Sequence, residues 1–292
     1  MMQRGTTYLA AFVLLAFACS AGAQHPYRGF DRNVYPGDAA LPALRKSFSY
    51  TSYWLNNPPG EARNTWTGKR ALLKHYGFGF LVLFNGRTYA ELKAARVKGT
   101  DAAALGRQDG RAAVAAAARE GFARDVLIFL DQEEGGRLLQ EQADYLFAWV
   151  DAARKGGARA GVYCSGIEVH DSSGAISTAQ DIVDRERAQT SRLSKDRKSE
   201  PRIALWIAND QCPPSPGCTL AAPPMARAFP PALRASAVVW QYAVSPRRPR
   251  FSAGCPRNQS PDGNCYAPGL PHGANTFVDL NTADSPDPSE LP

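Results

Sequence analysis

Five apolar residues run straight into carboxylates at Val126–Glu134, VLIFLDQEE. On a strand, Asp131 and Glu133 are two apart and project from the same face. Two carboxyl groups in one cleft can hydrolyse a glycosidic bond, one giving a proton to the leaving oxygen and the other supporting the reacting carbon. The plainer reading is a strand that ends in solvated acids, which are common at element ends. What surrounds the segment decides between the two.

An unbroken apolar run suits a strand buried on both faces, and in a parallel α/β barrel the C-terminal ends of such strands form the active face. Seven other segments read as strands: 28–35, 48–55, 78–86, 159–166, 202–210, 237–244 and 275–281. With 126–133 they make eight, the barrel number. Helix-like segments fall between them, the signature of an α/β fold. Residues 111–120 are Ala-rich, with Asp109 as a possible N-cap and Gly121 as the stop. Leu138, Gln142, Tyr145, Leu146, Trp149 and Val150 share helical spacing. Residues 67–76 and 178–193 are further helix candidates. After Val244 the chain turns Pro/Gly-rich, so the closing strands are expected to be joined by loops, with antiparallel pairing open to them.

The strand tips carry the chemistry. Asp31 follows Gly29-Phe30, and Asn85 ends the third strand. Asp131 and Glu133 end the fourth, and Tyr163 lies in the fifth. Trp206 and Asn209 belong to the sixth, Trp240 and Gln241 to the seventh, and Asp279 and Asn281 to the eighth. A barrel would gather these tips at one pocket. Acids beside aromatic rings describe a sugar site, with Tyr163, Trp206, Trp240, Asn209, Gln241 and Asn85 as substrate contacts.

The N-terminus reads as a secretory signal over residues 1–23: Arg4, an apolar run from Tyr8 to Ala18, then Ala21-Gly22-Ala23 before Gln24. Cys19 offers a lipidated start as the alternative, but Ala16 stands where a lipobox prefers Leu. The mature chain is expected in the periplasm or outside the cell, with no integral membrane segment. Cys212 and Cys218 bracket one Pro-rich loop and Cys255 and Cys265 another, which in an exported chain suggests two local disulfides. Cys164, in GVYCSG, reads as a core thiol. The barrel domain is expected over 24–281, followed by a disordered tail over 282–292.

The net charge is +7, with basic residues dispersed apart from Arg247, Arg248 and Arg250. A nucleic-acid module would concentrate charge and aromatics on one face. Mild positive charge suits attraction to anionic polymers, cell-wall glycans among them, and equally suits a solvated surface. The four histidines are scattered, and there is no GxGxxG after a strand and no Walker sequence. Neither a metal nor a cofactor is implied.

GFDRNVY, FLDQE, GVYCSG, ALWIAND, VVWQYA and FVDLN, in that order, resemble the motifs of family 25 glycoside hydrolases, the Chalaropsis-type lysozymes. Over nearly all of the mature chain the looser match is to bacterial glycoside-hydrolase-like domains of unknown function related to them. The resemblance implies an irregular TIM-like barrel of five β/α units and three closing strands, facing peptidoglycan. It places the general acid on Glu133 and a charge-stabilising role on Asp131, and maps the first- and last-strand acids to Asp31 and Asp279. The general acid needs a raised pKa, expected from burial beside Asp131. Glu134, directly after Glu133, competes for the pocket if the strand bulges. The loop WLNNPPGEARNTWTGK is closer to the uncharacterised relatives. A glycan-binding barrel without catalysis is the alternative function.

Overall fold

The computed structural model describes residues 26–192, 202–212, 229–244, 270 and 277–290. Eight strands close a barrel: β1 (Tyr27–Asp31), β2 (Tyr50–Trp54), β3 (Gly79–Asn85), β4 (Leu127–Asp131), β5 (Arg159–Ser165), β8 (Ala204–Cys212), β9 (Ala237–Ala243) and β10 (Asp279–Ala283). Each overlaps one of the eight segments expected from the sequence. Seven run parallel to their neighbours in the order β1-β2-β3-β4-β5-β8-β9. β10 closes the ring antiparallel to both β9 and β1. That reversal carries the start of β10 to the face where the other strands end, so Asp279 is paired with Asp31. A short hairpin of β6 (Val169–Asp171) and β7 (Gly174–Ile176) stands outside the barrel and has no counterpart in the sequence reading.

Around the barrel lie α1 (Leu41–Arg45), α2 (Arg70–His75), α3 (Tyr89–Val97), α4 (Ala102–Arg119), α5 (Gln140–Lys155), α6 (Thr178–Arg192) and the short α7 (Pro231–Arg234). Strand alternation divides the core into two layers. Outward residues such as Phe30, Tyr53, Phe80 and Phe84 pack under the helices, where Phe30 meets Phe48 and Phe84 meets Trp149. Inward residues such as Phe129 and Trp206 fill the barrel, with ring centroids 5.8 Å apart.

The expected helix start at Asp109 is corrected. The helix begins eight positions earlier, where Asp101 accepts the Ala104 N–H at 2.6 Å as N-cap. Asp109 is instead a buried side chain inside α4. It accepts Arg87 Nε at 2.6 Å, Arg87 Nη2 at 3.0 Å and the Tyr145 hydroxyl at 2.9 Å. Gly106 and Gly110, which look like helix breakers in sequence, let α4 lie directly on α5. A Cβ on Gly106 would sit 2.2 Å from the Tyr145 carbonyl oxygen, and one on Gly110 2.6 Å from that of Trp149.

The disordered tail expected from residue 282 is also corrected. Thr282 and Ala283 belong to β10, and residues 284–290 tuck under the base of the barrel. Ser289 is fully buried between β3 and β4. It donates its N–H to the Phe80 carbonyl at 3.0 Å, and its own carbonyl accepts from Leu127 at 2.9 Å. Its hydroxyl accepts the Val82 N–H at 2.9 Å. Gly79 makes room, since a Cβ there would lie 2.2 Å from the Pro286 carbonyl oxygen. Composition suggested solvation, but backbone groups at the barrel's lower rim need partners, and the tail supplies them.

Asp287 gives this tail a pH dependence. Desolvation pushes its carboxyl from 3.8 up to about 6, against the N–H groups of Glu290 and Phe80 that favour the charged form. The folded state therefore binds the proton more tightly than the unfolded chain. The resulting stability is complete below about pH 3.8 and is lost as pH rises through about 6. Asp287→Asn keeps an acceptor for both N–H groups and removes the titration. Its melting temperature is expected to fall less than the parent's between pH 4 and 7, as thermal denaturation across that range would read.

Candidate active site at the barrel mouth

Asp31, Asp131, Glu133 and Asp279 come from strand ends or the residues just beyond them. All four act electrostatically on the Tyr163 phenol, which burial and then these carboxylates hold well above its ordinary value. Tyr163 thus keeps its proton and donates it to Gln241 Oε1 at 2.9 Å. The Gln241 amide nitrogen in turn donates to Asp31 Oδ1 at 2.9 Å and Asp279 Oδ2 at 3.4 Å. Asn281 Nδ2 donates to the same Asp31 oxygen at 2.7 Å, and Asn281 Oδ1 accepts the Trp206 indole N–H at 2.9 Å. Two chains of neutral donors therefore converge on Asp31, from β5 through β9 and from β8 through β10. A network satisfied in this way fixes its members in one arrangement.

The β4 end is organised differently. Asp131 is 4% exposed. Its neighbours pair on both sides: Gly86 donates to the Asp131 carbonyl at 3.2 Å, and Gln132 donates to the Tyr163 carbonyl at 3.0 Å. Glu133 follows immediately and is exposed. Burial of Glu133 was expected and is not found: the residue is exposed. Glu133 opens onto a cleft of about 250 Å³ lined by Pro59, Asn85, Arg87, Asp131 and Glu134. A larger cavity exists at the opposite end of the barrel, away from all four acids.

Glu134 takes a different part from Glu133. It accepts the Tyr89 N–H at 2.9 Å at the start of α3 and bonds the Gln142 amide of α5. It ties two helices to the loop after β4, a structural use of the second acid.

The polar and aromatic residues expected at the mouth divide. Gln241 and the half-buried Tyr163 are there. Trp206 is buried inside the barrel beneath Tyr163, with ring centroids 4.9 Å apart. Trp240 is corrected: it is fully buried on the outward face of β9 against Phe229 and Tyr242, and its indole donates to the Asn209 carbonyl at 2.9 Å. Alternation along β9 puts Gln241 inside and so Trp240 outside. Asn209 is half-buried beside Gly166. Asn85 reaches the cleft, but its amide is committed to the Asn57 carbonyl at 2.9 Å and its backbone to Asn56. It holds the loop after β2 as one wall. Asn281 faces inward as its place at a strand tip implied, and Trp54, which the sequence reading did not assign to the site, also faces inward and donates its indole N–H to the Arg32 carbonyl at 3.1 Å. Cys164 is fully buried as expected, and burial raises its thiol. Cys218, Cys255 and Cys265, the Cys212 side chain and the signal segment lie outside the described residues. No helix among the described residues is long and apolar enough to cross a membrane.

A mixed barrel with acids gathered at the strand ends defines a glycoside hydrolase-like protein. The chain belongs to the Rv2525c-like, glycoside hydrolase-like domain family, whose model matches residues 55–214. An uncharacterized B. stearothermophilus protein of solved structure shares the fold, with 20% identity, a TM-score of 0.52, and 88% of this chain and 95% of that one covered. The Tat-secreted protein Rv2525c of Mycobacterium tuberculosis is 14% identical over 89% of this chain and 96% of its own, with a TM-score of 0.48. A family 25 glycosyl hydrolase from Bacillus anthracis is 11% identical over 96% and 94%, with a TM-score of 0.44. No curated protein matches.

Proposed function

We propose that this chain is an exported glycosidase that cleaves β-1,4 bonds of peptidoglycan or a related cell-wall glycan. The observation that carries this reading is the gathering of four carboxylates around Tyr163, of which Glu133 is exposed to a cleft and Asp31, Asp131 and Asp279 are buried. Glu133 gives its proton to the leaving glycosidic oxygen as the C–O bond breaks, and recovers one from the water that completes hydrolysis. Asp131, Asp31 and Asp279 stabilise positive charge developing at the anomeric carbon. Gln241 and Asn281 position Asp31 for this. Tyr163, beside Gln241 at the barrel mouth, receives a sugar ring.

Residues 1–23 serve as the secretory signal, and Cys212–Cys218 and Cys255–Cys265 form disulfides in the periplasm or outside the cell. The folded unit of this proposal runs from residue 24 through the tail to residue 290.

The exposure of Glu133 favours a second reading, a barrel that binds glycan without cutting it. Incubation of the mature protein with purified peptidoglycan separates the two. Soluble muropeptides with new reducing ends, seen by mass analysis, are expected. Co-sedimentation with the insoluble glycan and no soluble fragment would establish the binding module instead.

A further inference from the structure

A cavity of about 840 Å³ lies at the base of the barrel, opposite the acids of the mouth. It opens among the starts of β4, β5, β8 and β9 and the tail after β10. Barrel interiors are packed, and their lower faces ordinarily serve stability. Small residues on the walls leave space at this end, between the strand starts, the end of α5 and the tail. Ala158, Ala160, Ala204 and Ala237 join Leu127 and Val238 in an apolar lining. The volume falls within the range of small-molecule sites.

Four cations also line it: Arg154, Lys155, Arg159 and Arg202, against Asp151 and Asp284. Arg159 is the inner one. Its guanidinium donates to two backbone carbonyls, Asp125 at 2.9 Å and Ser289 at 2.9 Å, which are neutral. Desolvation lowers its pKa, against the opposing pull of the Asp125 and Asp287 carboxylates. Lys155 approaches Asp151 at 3.9 Å. Lys155 and Arg202 are exposed at the entrance.

We propose that this basal cavity binds an anionic amphiphile: a medium-length alkyl chain laid on the alanines, with a single carboxylate or phosphate held by Arg159 and the entrance cations. An apolar body alone would not call for the cations, and an inorganic anion would not call for the apolar lining. The site is separate from the mouth, so its fate does not depend on the glycosidase reading.

Calorimetric titration of the mature protein with decanoate, decyl phosphate and decyl maltoside, each below its micellar concentration, tests this. Saturable binding of at least one anionic probe is expected, about 10-fold or more tighter than the maltoside, the size of one charge-assisted contact. Whichever anionic probe binds tighter identifies the head group. Lys155→Glu combined with Arg202→Glu, at exposed positions that leave the fold alone, should weaken the anionic probe about 10-fold. Val238→Trp should fill the cavity and abolish binding, while Asp131→Asn should leave it unchanged. Absence of saturable binding, equal binding of the maltoside, indifference to the charge reversal or sensitivity to Asp131→Asn would each overturn the proposal.

Discussion

Glu133→Gln is expected to lower release of reducing ends from purified peptidoglycan by about 10³-fold, within the range that positioned proton transfer supplies. The amide keeps the shape of the side chain and has no proton to give. Glu133 is exposed, and the substitution should leave the melting temperature within about 1 °C, as surface changes away from packed features do. Glu134→Gln should show the opposite pattern. Its carboxylate holds the first turn of α3 and the Gln142 side chain, so the loss is of stability. It should cost about 1–2 kcal/mol, the worth of a charge-assisted cap with a side-chain partner. The pair of variants separates chemistry from architecture within two adjacent residues. If Glu133→Gln retained full turnover, or if Glu134→Gln lost turnover with its stability intact, the acid would be misassigned.

Neighbouring acids explain why one residue cannot be read in isolation. Asp131 lies below Glu133 on the inward face of β4, and Asp31 and Asp279 face each other across the β1–β10 pair. The mouth therefore concentrates negative charge where a cationic centre would form. Gln241 ties this side to Tyr163, whose raised pKa keeps it a donor. Gln241 and Asn281 contribute no charge of their own, and their value is orientation: both amides aim at one oxygen of Asp31.

The barrel was legible because central strands buried on both faces, such as β3 and β4, leave apolar runs with no polar interruption, whereas β1, β2 and β10 carry polar residues. Asp131 was legible for the same reason, as an acid set directly against such a run, and Asp31 and Asp279 were legible as acids at strand tips. Other features depended on the third dimension. Gly106 and Gly110 look like breaks until α5 is placed against them. Trp240 and Gln241 are neighbours in sequence, and only the register of β9 assigns one to the helices and the other to the mouth. The adjacent acids Glu133 and Glu134 carry no local mark of their different roles. Their division follows from where α3 begins, at the Thr88–Glu91 capping box, which places the Tyr89 N–H against Glu134. The tail was misread because Pro, Ser and Asp describe a solvated segment by composition, whereas here they serve backbone groups at a barrel rim.

Deletion of residues 284–292 is expected to destabilise the barrel by about 4 kcal/mol, since several buried backbone groups would each lose a partner at about 1–3 kcal/mol. The exposed groups would be the Phe80 and Val82 amides, the Phe80 carbonyl and the Leu127 amide, all on β3 and β4. Arg70, which packs over Phe122 with its guanidinium 4.6 Å from the ring centre, would also lose Glu290 at 2.7 Å. At about 2–4 °C per kcal/mol for a domain of this size, the melting temperature should fall by about 10 °C. Ser289→Ala isolates one component. It removes the acceptor of the Val82 N–H and keeps both backbone bonds, for a cost of about 1–2 kcal/mol. Thermal denaturation at pH 4 checks both, where Asp287 is protonated and the tail is docked more firmly than at neutral pH. A truncated chain that melted with the parent would show that the tail decorates the barrel rather than closing it. A large effect of truncation with none for Ser289→Ala would assign the closure to the tail's backbone and to Glu290.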